Sequence, residues 1–200
     1  MTKRILAITA GVLSFVLQTA VAQPTAPPGQ PNVLVIMSDE HTASVLGCYG
    51  NKIIRTPNLD RIAREGAYFT NAFVTTPLCS PSRASFLTGR YVHAHGVLGN
   101  TNDGNVISHQ LVTWPRLLHD AGYETGYVGK FHMGNDGSPR PGFDRWASFK
   151  GQGVYEDPVM NIDGKEVSQT GYMTDLINRY AVEFLRRKRT KPFALYVGHK

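Results

Sequence analysis

The apolar residues of this chain form short unbroken runs that alternate with segments of helical periodicity. The run Val33–Met37 contains no polar residue and predicts a strand buried on both faces, as in a parallel sheet. Further strands are predicted over 68–74, 123–131 and 192–197. Helices are predicted over 57–65, 80–88, 114–121 and 172–187. This alternation indicates an α/β fold in which a mostly parallel sheet is flanked by helices.

Two further expectations rest on local pattern alone. Pro57 lies at the first turn of the first helix, where its fixed backbone angle is compatible with a helix start. In that helix Leu59, Ile62 and Ala63 form the stripe that is expected to face the core. Residues 134–171 are rich in Gly, Pro and Asp, so a long excursion over the surface is predicted there.

The first thirty residues carry an export signature ahead of the globular part. Lys3 and Arg4 precede an apolar run and a small-residue cleavage site, which is the layout of a signal peptide over 1–22. An uncleaved membrane anchor is the alternative, but the apolar run is short for a span. Residues 23–30 form a flexible lead-in, and 31–200 is long enough for one domain with its own core. We therefore expect an exported protein, periplasmic or secreted, without a stable membrane span.

The charge balance restricts the function only weakly. The chain carries a net charge of +6, and removal of Lys3 and Arg4 with the signal peptide lowers it to +4. A mild positive excess suits an anionic substrate and is also ordinary for a soluble domain. The basic cluster at 186–189 ends a helical pattern, where cations interact favourably with the helix dipole. No nucleic-acid partner is needed to explain it.

Chemically active residues occur where three predicted elements begin or end. Asp39 and Glu40 follow the first strand directly. Lys130 and His132 come at the end of a later strand, and Cys79 starts a helix. Ligands of open α/β sheets bind outside the carboxyl ends of the strands, and helix N-termini favour anions. We therefore expect carboxylates, a cation, an imidazole and an anion-binding turn on one rim of the sheet.

The run Cys-Ser-Pro-Ser-Arg at 79–83, followed by Ser-Phe-Leu-Thr-Gly-Arg at 85–90, resembles the signature of the type I, formylglycine-dependent sulfatases. This family belongs to the alkaline phosphatase superfamily. The resemblance implies that a formylglycine-generating or sulfatase-maturating enzyme oxidises Cys79 to formylglycine, whose hydrated aldehyde attacks sulfate. Arg83 is then expected to hold the modified side chain by charge-assisted hydrogen bonds. We expect both Cys79 and Cys48 to be unpaired.

The segment 31–40 resembles the sulfatase opening, in which two adjacent acidic residues bind a divalent metal. By this resemblance Asp39, Glu40 and the modified Cys79 are metal ligands, with Ca²⁺ favoured over Mg²⁺. Glutamate stands at the second position, where aspartate is typical of the family, and its longer stem changes its reach.

The run Gly-Lys-Phe-His-Met-Gly at 129–134 resembles the sulfatase block G-K-W-H-x-G, with Phe131 in place of the tryptophan. The resemblance implies that Lys130 contacts sulfate and the formylglycine. It also implies that His132 handles a proton of the hydrated aldehyde.

The implied function is hydrolysis of an organic sulfate ester, small molecule or glycan. The stretch 75–100 is similar to glucosamine-6-sulfatases, which favours a sulfated carbohydrate. A phosphonate or phosphate ester hydrolase of the same superfamily can share the nucleophile motif and remains an alternative. A non-catalytic binder of sulfated glycans, built on the same scaffold, is a second alternative.

The resemblance covers the N-terminal part of a sulfatase catalytic domain, over 31–200. Residues 191–200 resemble the strand that leads to a histidine acting as the acid for the leaving group, but His199 is not at the matching position. A further acidic and amide pair for the metal, and a second sulfate-binding lysine, are implied to lie downstream. The expected fold is therefore sulfatase-like and incomplete on its C-terminal side.

Overall fold

The computed structural model describes residues 29–101 and 103–200. The predicted signal peptide, over 1–22, and most of the lead-in lie outside the described residues. Within the described ranges, none of the helices combines the length and the apolar character that a membrane crossing requires.

The described residues form strands and α-helices that alternate along most of the chain. The strands are β1 (Val33–Met37), β2 (Glu124–Gly129), β3 (Arg145–Ser148), β4 (Val159–Ile162), β5 (Lys165–Ser168) and β6 (Phe193–Gly198). The helices are α1 (Pro57–Glu65), α2 (Cys79–Thr88), α3 (Val92–His95), α4 (Asp103–Gln110), α5 (Trp114–Asp120) and α6 (Met173–Arg186). Two short 3-10 helices, Ala43–Val45 and Gly47–Tyr49, follow β1.

The strands form one mixed sheet in the order β1-β6-β2-β3-β4-β5. The first four of these run parallel, and β4 and β5 add an antiparallel hairpin at one edge. In this register Met37, Gly198 and Gly129 lie level with one another at the carboxyl ends of β1, β6 and β2. The predicted α/β class with a mostly parallel, helix-flanked sheet is confirmed, and the register brings the segments after β1 and β2 to one edge.

Two apolar clusters hold helices against opposite faces of the sheet. On one face α6 packs through Ile177 and Phe184 against Leu195 and other strand residues. On the other face α2 packs against an aromatic stack in which the Tyr127 ring lies 5.0 Å, centroid to centroid, from the rings of both Trp146 and Tyr196. Aromatic pairs of this kind add to the free energy gained from burial alone.

The prediction of a surface excursion over 134–171 was wrong. This segment contains β3, β4 and β5, and it buries Trp146, Phe149 and Met160 to 2 % exposure or less. Its strands are only four residues long, so the Gly, Pro and Asp of the turns dominate the composition. Short strands joined by tight turns therefore have the same composition as a loop.

Three predictions for the first part of the chain were also wrong. Residues 68–74 do not form a strand. Strand β1 is not buried on both faces, because Leu34 and Ile36 are exposed. It is also an edge strand, which pairs only with β6 among the described strands. Leu59 and Ile62 of α1 are exposed as well. Within the described residues nothing covers these apolar faces.

Gly129 closes β2 in a conformation that other residues rarely adopt. Its φ is +101°, and a Cβ atom placed on it would lie 2.0 Å from the carbonyl oxygen of Gly198. Gly129→Ala is therefore expected to lower the free energy of unfolding by more than about 2 kcal/mol, through backbone strain and displacement of β6. Urea unfolding measures this. Gly164→Ala is the matched control, because Gly164 has a similar φ of +94° with open space around it. Equal losses in the two variants would show that the contact with Gly198 does not matter.

Candidate active site

The ammonium group of Lys130 is the point where separate segments of the chain meet. It follows β2 and is buried to 1 % exposure. Its Nζ lies 2.5 Å from Asp39 Oδ2, 2.6 Å from Gln152 Oε1 and 3.8 Å from Cys79 Sγ. A carboxylate, an amide and a thiol from three distant parts of the sequence therefore surround one buried cation.

Cys79 is the first residue of α2, and its thiol is half-buried. The next residue, Ser80, is hydrogen-bonded on two sides. Its backbone N–H donates to Asn100 Oδ1 at 2.9 Å, and its hydroxyl donates to the carbonyl oxygen of His132 at 2.6 Å. The start of α2 is thereby fixed to the segment after β2. Neither Cys79 nor Cys48 forms a disulfide, as expected.

Arg83 lies one turn further along α2 and is buried to 3 % exposure. It donates one hydrogen bond to the carbonyl oxygen of Lys130 and another to Asp39 Oδ1, at 3.2 Å. The buried hydroxyl of Tyr127 donates to the same Lys130 carbonyl at 2.5 Å. Arg83 thus links the nucleophile helix to the segments after β1 and β2 and adds a second buried positive charge.

Asp39 is ionised at neutral pH and partly open to solvent. Burial opposes its ionisation, but hydrogen bonds and charge from Lys130 and Arg83 outweigh burial and hold the pKa of Asp39 below its usual value. Its side chain keeps 28 % exposure, so one side of the carboxylate remains accessible. Glu40 is exposed and makes no side-chain hydrogen bond or ion pair with the described residues. The structure therefore joins Asp39 to the cluster and leaves Glu40 outside it.

His132 has a buried ring nitrogen that lacks a partner among the described residues. The residue is 6 % exposed, its φ is +47°, and its Nδ1 accepts and donates no hydrogen bond there. Burial, reinforced by the positive charges of Lys130 and Arg83, lowers the pKa of His132 to about 4. The imidazole is therefore neutral at pH 7, and its Nδ1 is buried without a partner among the described residues.

The lowered pKa of His132 leads to a pH-dependence that can be measured. The unfolded chain takes up this proton near pH 6.5 and the folded chain only near pH 4, so stability is expected to fall as the pH is lowered through that interval. His95 and His199 also have lowered pKa values and act in the same direction. The free energy of unfolding is therefore measured against pH for the wild type and for His132→Gln. The difference between the two curves is the contribution of His132. An NMR titration of the imidazole gives the pKa directly, and a midpoint near 6.5 would contradict the expectation.

Two polar residues of this cluster were not identified from the sequence. Gln152 contacts Lys130, and Asn100 binds the start of α2. Asn100 ends the stretch 75–100 that is similar to glucosamine-6-sulfatases, but no role at the site was assigned to it, and Gln152 lies in the segment predicted to be a surface excursion. The flanking glycines of Gly151-Gln152-Gly153 are the only local signal of a tight turn that presents one side chain.

Fold and geometry together define an α/β protein with two buried positive charges, those of Lys130 and Arg83, at the carboxyl edge of its parallel strands. The protein family described as Sulfatase matches residues 31–199. The chain therefore belongs to the sulfatase family.

Individual relatives agree with this assignment. An N-acetylglucosamine-6-O-sulfatase of Bacteroides thetaiotaomicron is 40% identical over 175 residues, which cover 86% of this chain and 30% of that protein. A steryl-sulfatase of Mus musculus is 45% identical over 139 residues, covering 65% of this chain and 22% of the relative. The chain thus spans less than a third of the length of these curated relatives.

Solved structures give the same fold. One, described as a complex with its substrate D-glucosamine-2-N,6-O-disulfate, superimposes with a TM-score of 0.77 at 40% identity and covers 84% of this chain and 34% of the other. Another, in complex with a neocarrahexaose, has a TM-score of 0.76 at 32% identity, covering 85% of this chain and 45% of the other.

Proposed function

We propose that this chain is the N-terminal part of a sulfatase that hydrolyses sulfate esters with a formylglycine formed from Cys79. The observation that supports it best is the contact of one buried ammonium, that of Lys130, with both Asp39 and Cys79. Family membership supports this class of reaction, and this contact supports the choice of the residues proposed to perform it.

A sulfate ester repels nucleophiles because its oxygens carry negative charge. A site that hydrolyses it must neutralise that charge, present an oxygen nucleophile and protonate the leaving group. Lys130 and Arg83 supply two buried positive charges beside residue 79. Arg83 also holds this region rigid through its bonds to Asp39 and to the backbone at Lys130. The neutral His132, with its unpartnered Nδ1, is suited to exchange a proton with a hydroxyl on residue 79.

Formylglycine at position 79 supplies an oxygen nucleophile that can be regenerated after sulfate is released. Its formation requires a formylglycine-generating or sulfatase-maturating enzyme, which is part of the proposal. The half-buried position of Cys79 at the start of α2, beside the Lys130 ammonium, is compatible with that role.

The carboxylate of Asp39 fits the first part of a site for a hard divalent cation, and Glu40, which lies outside the cluster, is included because it follows Asp39 in the motif. Both offer oxygen ligands, which Ca²⁺ and Mg²⁺ prefer, and Asp39 is ionised with one side open. Within the described ranges no three His, Cys, Asp or Glu side chains form a cluster that could hold a metal. Asp39, Glu40 and the modified residue 79 are proposed as ligands of that cation. A cation held by these residues would polarise sulfate and lower the charge barrier to attack.

The substrate is proposed to be a sulfated carbohydrate. Relatives named above act on N-acetylglucosamine-6-O-sulfate or were crystallised with a disulfated glucosamine. The similarity of 75–100 to glucosamine-6-sulfatases points in the same direction. Export to the periplasm or the exterior, directed by a signal peptide over 1–22, is part of the same proposal because sulfated glycans are met there.

Exposed apolar faces support the idea of a partial domain. Leu34, Ile36, Leu59 and Ile62 are all exposed on β1 and α1, and downstream polypeptide would cover them. The intact mass of the protein isolated from its native source tests this. A fully active mature species near 20 kDa would refute it, because that mass leaves no room for further polypeptide.

Mass spectrometry of the peptide that contains Cys79, from protein exported by its native host, tests the nucleophile. The expected result is the mass of an aldehyde in place of the thiol. An unmodified thiol would refute catalysis by formylglycine and favour the non-catalytic glycan binder. Rates on matched aryl sulfate and aryl phosphonate esters then separate a sulfatase from the phosphonate hydrolase alternative, which would favour the phosphonate.

A further inference from the structure

Gln152 is a polar residue at the site for which neither the sequence motifs nor the comparisons give a role. It lies in the turn between β3 and β4, and its Oε1 accepts a hydrogen bond of 2.6 Å from Lys130 Nζ. A lysine ammonium only donates, so the contact fixes which end of the amide faces inward. The amide nitrogen of Gln152 is therefore not the atom that contacts Lys130 and is left for another acceptor. In the described part of the chain this nitrogen has no hydrogen-bond partner.

The turn that carries Gln152 has a backbone that only glycine accommodates on both sides. Gly151 and Gly153 have φ values of +54° and +62°. A Cβ on Gly151 would lie 2.4 Å from Asn135 Oδ1, and one on Gly153 would lie 2.5 Å from the ring of Phe149. Left-handed backbone and close packing at both neighbours fix the direction of the Cα–Cβ bond of Gln152.

The same turn is held from the end of β6. Lys200 Nζ donates to the carbonyl oxygen of Gly153 at 3.1 Å and lies 4.0 Å from the centre of the Tyr155 ring. The N–H of Gly153 donates to the carbonyl of Lys150 at 3.0 Å, which closes the turn. The exposed side chain of Gln152 therefore extends from a backbone that is held at several points.

Lys130 needs this acceptor. Its buried ammonium has three N–H donors, and Asp39 accepts one of them. The sulfur of Cys79 is a weak acceptor at 3.8 Å, so Gln152 provides the second strong bond. A buried ammonium that loses such a bond is free to change its direction or to attract water.

We propose that Gln152 is a substrate-binding and positioning residue of this site. Its Oε1 aims the Lys130 ammonium at residue 79, and its Nε2 donates a hydrogen bond to an oxygen of the anion bound there. The ligand class is a tetrahedral oxyanion, the sulfate group of a sulfate ester. This inference rests on the proposed function, since it assigns a residue to the same anion site.

Two variants separate the two roles of Gln152. Gln152→Met keeps the length of the side chain and removes both acceptor and donor, whereas Gln152→Glu keeps the acceptor and replaces the donor by a negative charge. Gln169→Met is the matched control, because Gln169 also accepts from a cation, Arg179, at 2.8 Å but contacts α6 instead of the site.

Two measurements apply to the whole protein in the absence of a sulfate ester. Calorimetry with inorganic sulfate, in the presence of Ca²⁺, measures anion binding. Mass spectrometry after brief treatment with acetic anhydride measures how fast Lys130 is acetylated. Gln152→Met is expected to weaken sulfate binding about tenfold and to speed the acetylation of Lys130 several-fold. Gln152→Glu is expected to weaken sulfate binding at least as much while leaving Lys130 protected. A general loss of folded structure would instead weaken sulfate binding and speed the acetylation of Lys130 together in both variants.

The proposal and the proposed function can fail separately. Sulfate binding that survives in both Gln152 variants but disappears in Lys130→Met would overturn the role of Gln152 and leave the sulfatase site standing. Wild-type rates of Lys130 acetylation in Gln152→Met would overturn the positioning role. A plain thiol at residue 79 would refute the formylglycine mechanism, and the acetylation pattern would still decide the role of Gln152.

Discussion

Cys79→Ser is expected to lower multiple-turnover hydrolysis of an aryl sulfate by at least about 10³-fold, in a preparation of this protein that shows the activity. A serine hydroxyl beside Lys130 can still be sulfated once. It lacks the second hydroxyl of a hydrated aldehyde, so it has no route for expelling the sulfate. The expected product is therefore an inactive or singly sulfated protein, and intact-mass measurement after incubation with substrate detects the sulfate.

Cys48→Ser is the control for this substitution. It makes the same chemical change at the other cysteine, which lies in the 3-10 helix Gly47–Tyr49, where its backbone N–H donates to Asp60. Activity there is expected to remain close to that of the wild type. Near-normal turnover in Cys79→Ser would contradict the formylglycine mechanism, since it would show that an ordinary hydroxyl suffices.

The sequence predicted correctly that Asp39 and Lys130, which follow strands of the sheet, lie at the same edge. Asp39 and Lys130 each follow a strand of a parallel sheet, and the register of β1, β6 and β2 places those ends side by side. Their meeting at 2.5 Å follows from the fold class together with two local patterns. The roles assigned to both residues remain predictions, and Lys130→Met tests that of Lys130.

Gln152 and Asn100 could not be predicted in the same way. Each reaches the site from a turn whose position depends on packing far along the sequence, by 22 residues to Lys130 and 20 residues to Ser80. Periodicity does not report such contacts, and turn residues conceal the short strands around Gln152. A Gly-x-Gly turn in which both glycines have positive φ is recognised only once the backbone is known.

The mistaken expectations for β1 and α1 have a different physical origin. The sequence correctly indicated apolar faces, but whether such a face is buried depends on the element that covers it. Ile36 is 59% exposed and Ile62 is 60% exposed because no described element packs against them. The apolar pattern therefore predicts faces that need to be covered in the folded protein, and the described residues do not cover them.

Lys130→Met is expected to reduce sulfate ester hydrolysis by about 10²-fold or more, with a much smaller effect on stability. The methionine fills most of the space of the lysine but brings no charge to the sulfate. Removing one partner of a buried ion pair is usually costly, but Asp39 keeps its bond to Arg83 and its 28% exposure, so the carboxylate is not stranded. The activity is therefore expected to fall much more than the free energy of unfolding. Comparing kcat/KM with urea unfolding of the same preparation measures both.

Lys150→Met is the matched control, because Lys150 also lies 2.5 Å from a carboxylate, that of Glu166, but with 65% of its side chain exposed. An exposed ion pair of this kind contributes little to stability. The Lys150 ammonium contacts Glu166, which is not a residue of the anion site. Wild-type activity is expected in this variant. If Lys130→Met were as active as Lys150→Met, the buried ammonium would be a structural contact only, and neutralisation of the sulfate charge would have to come from other groups.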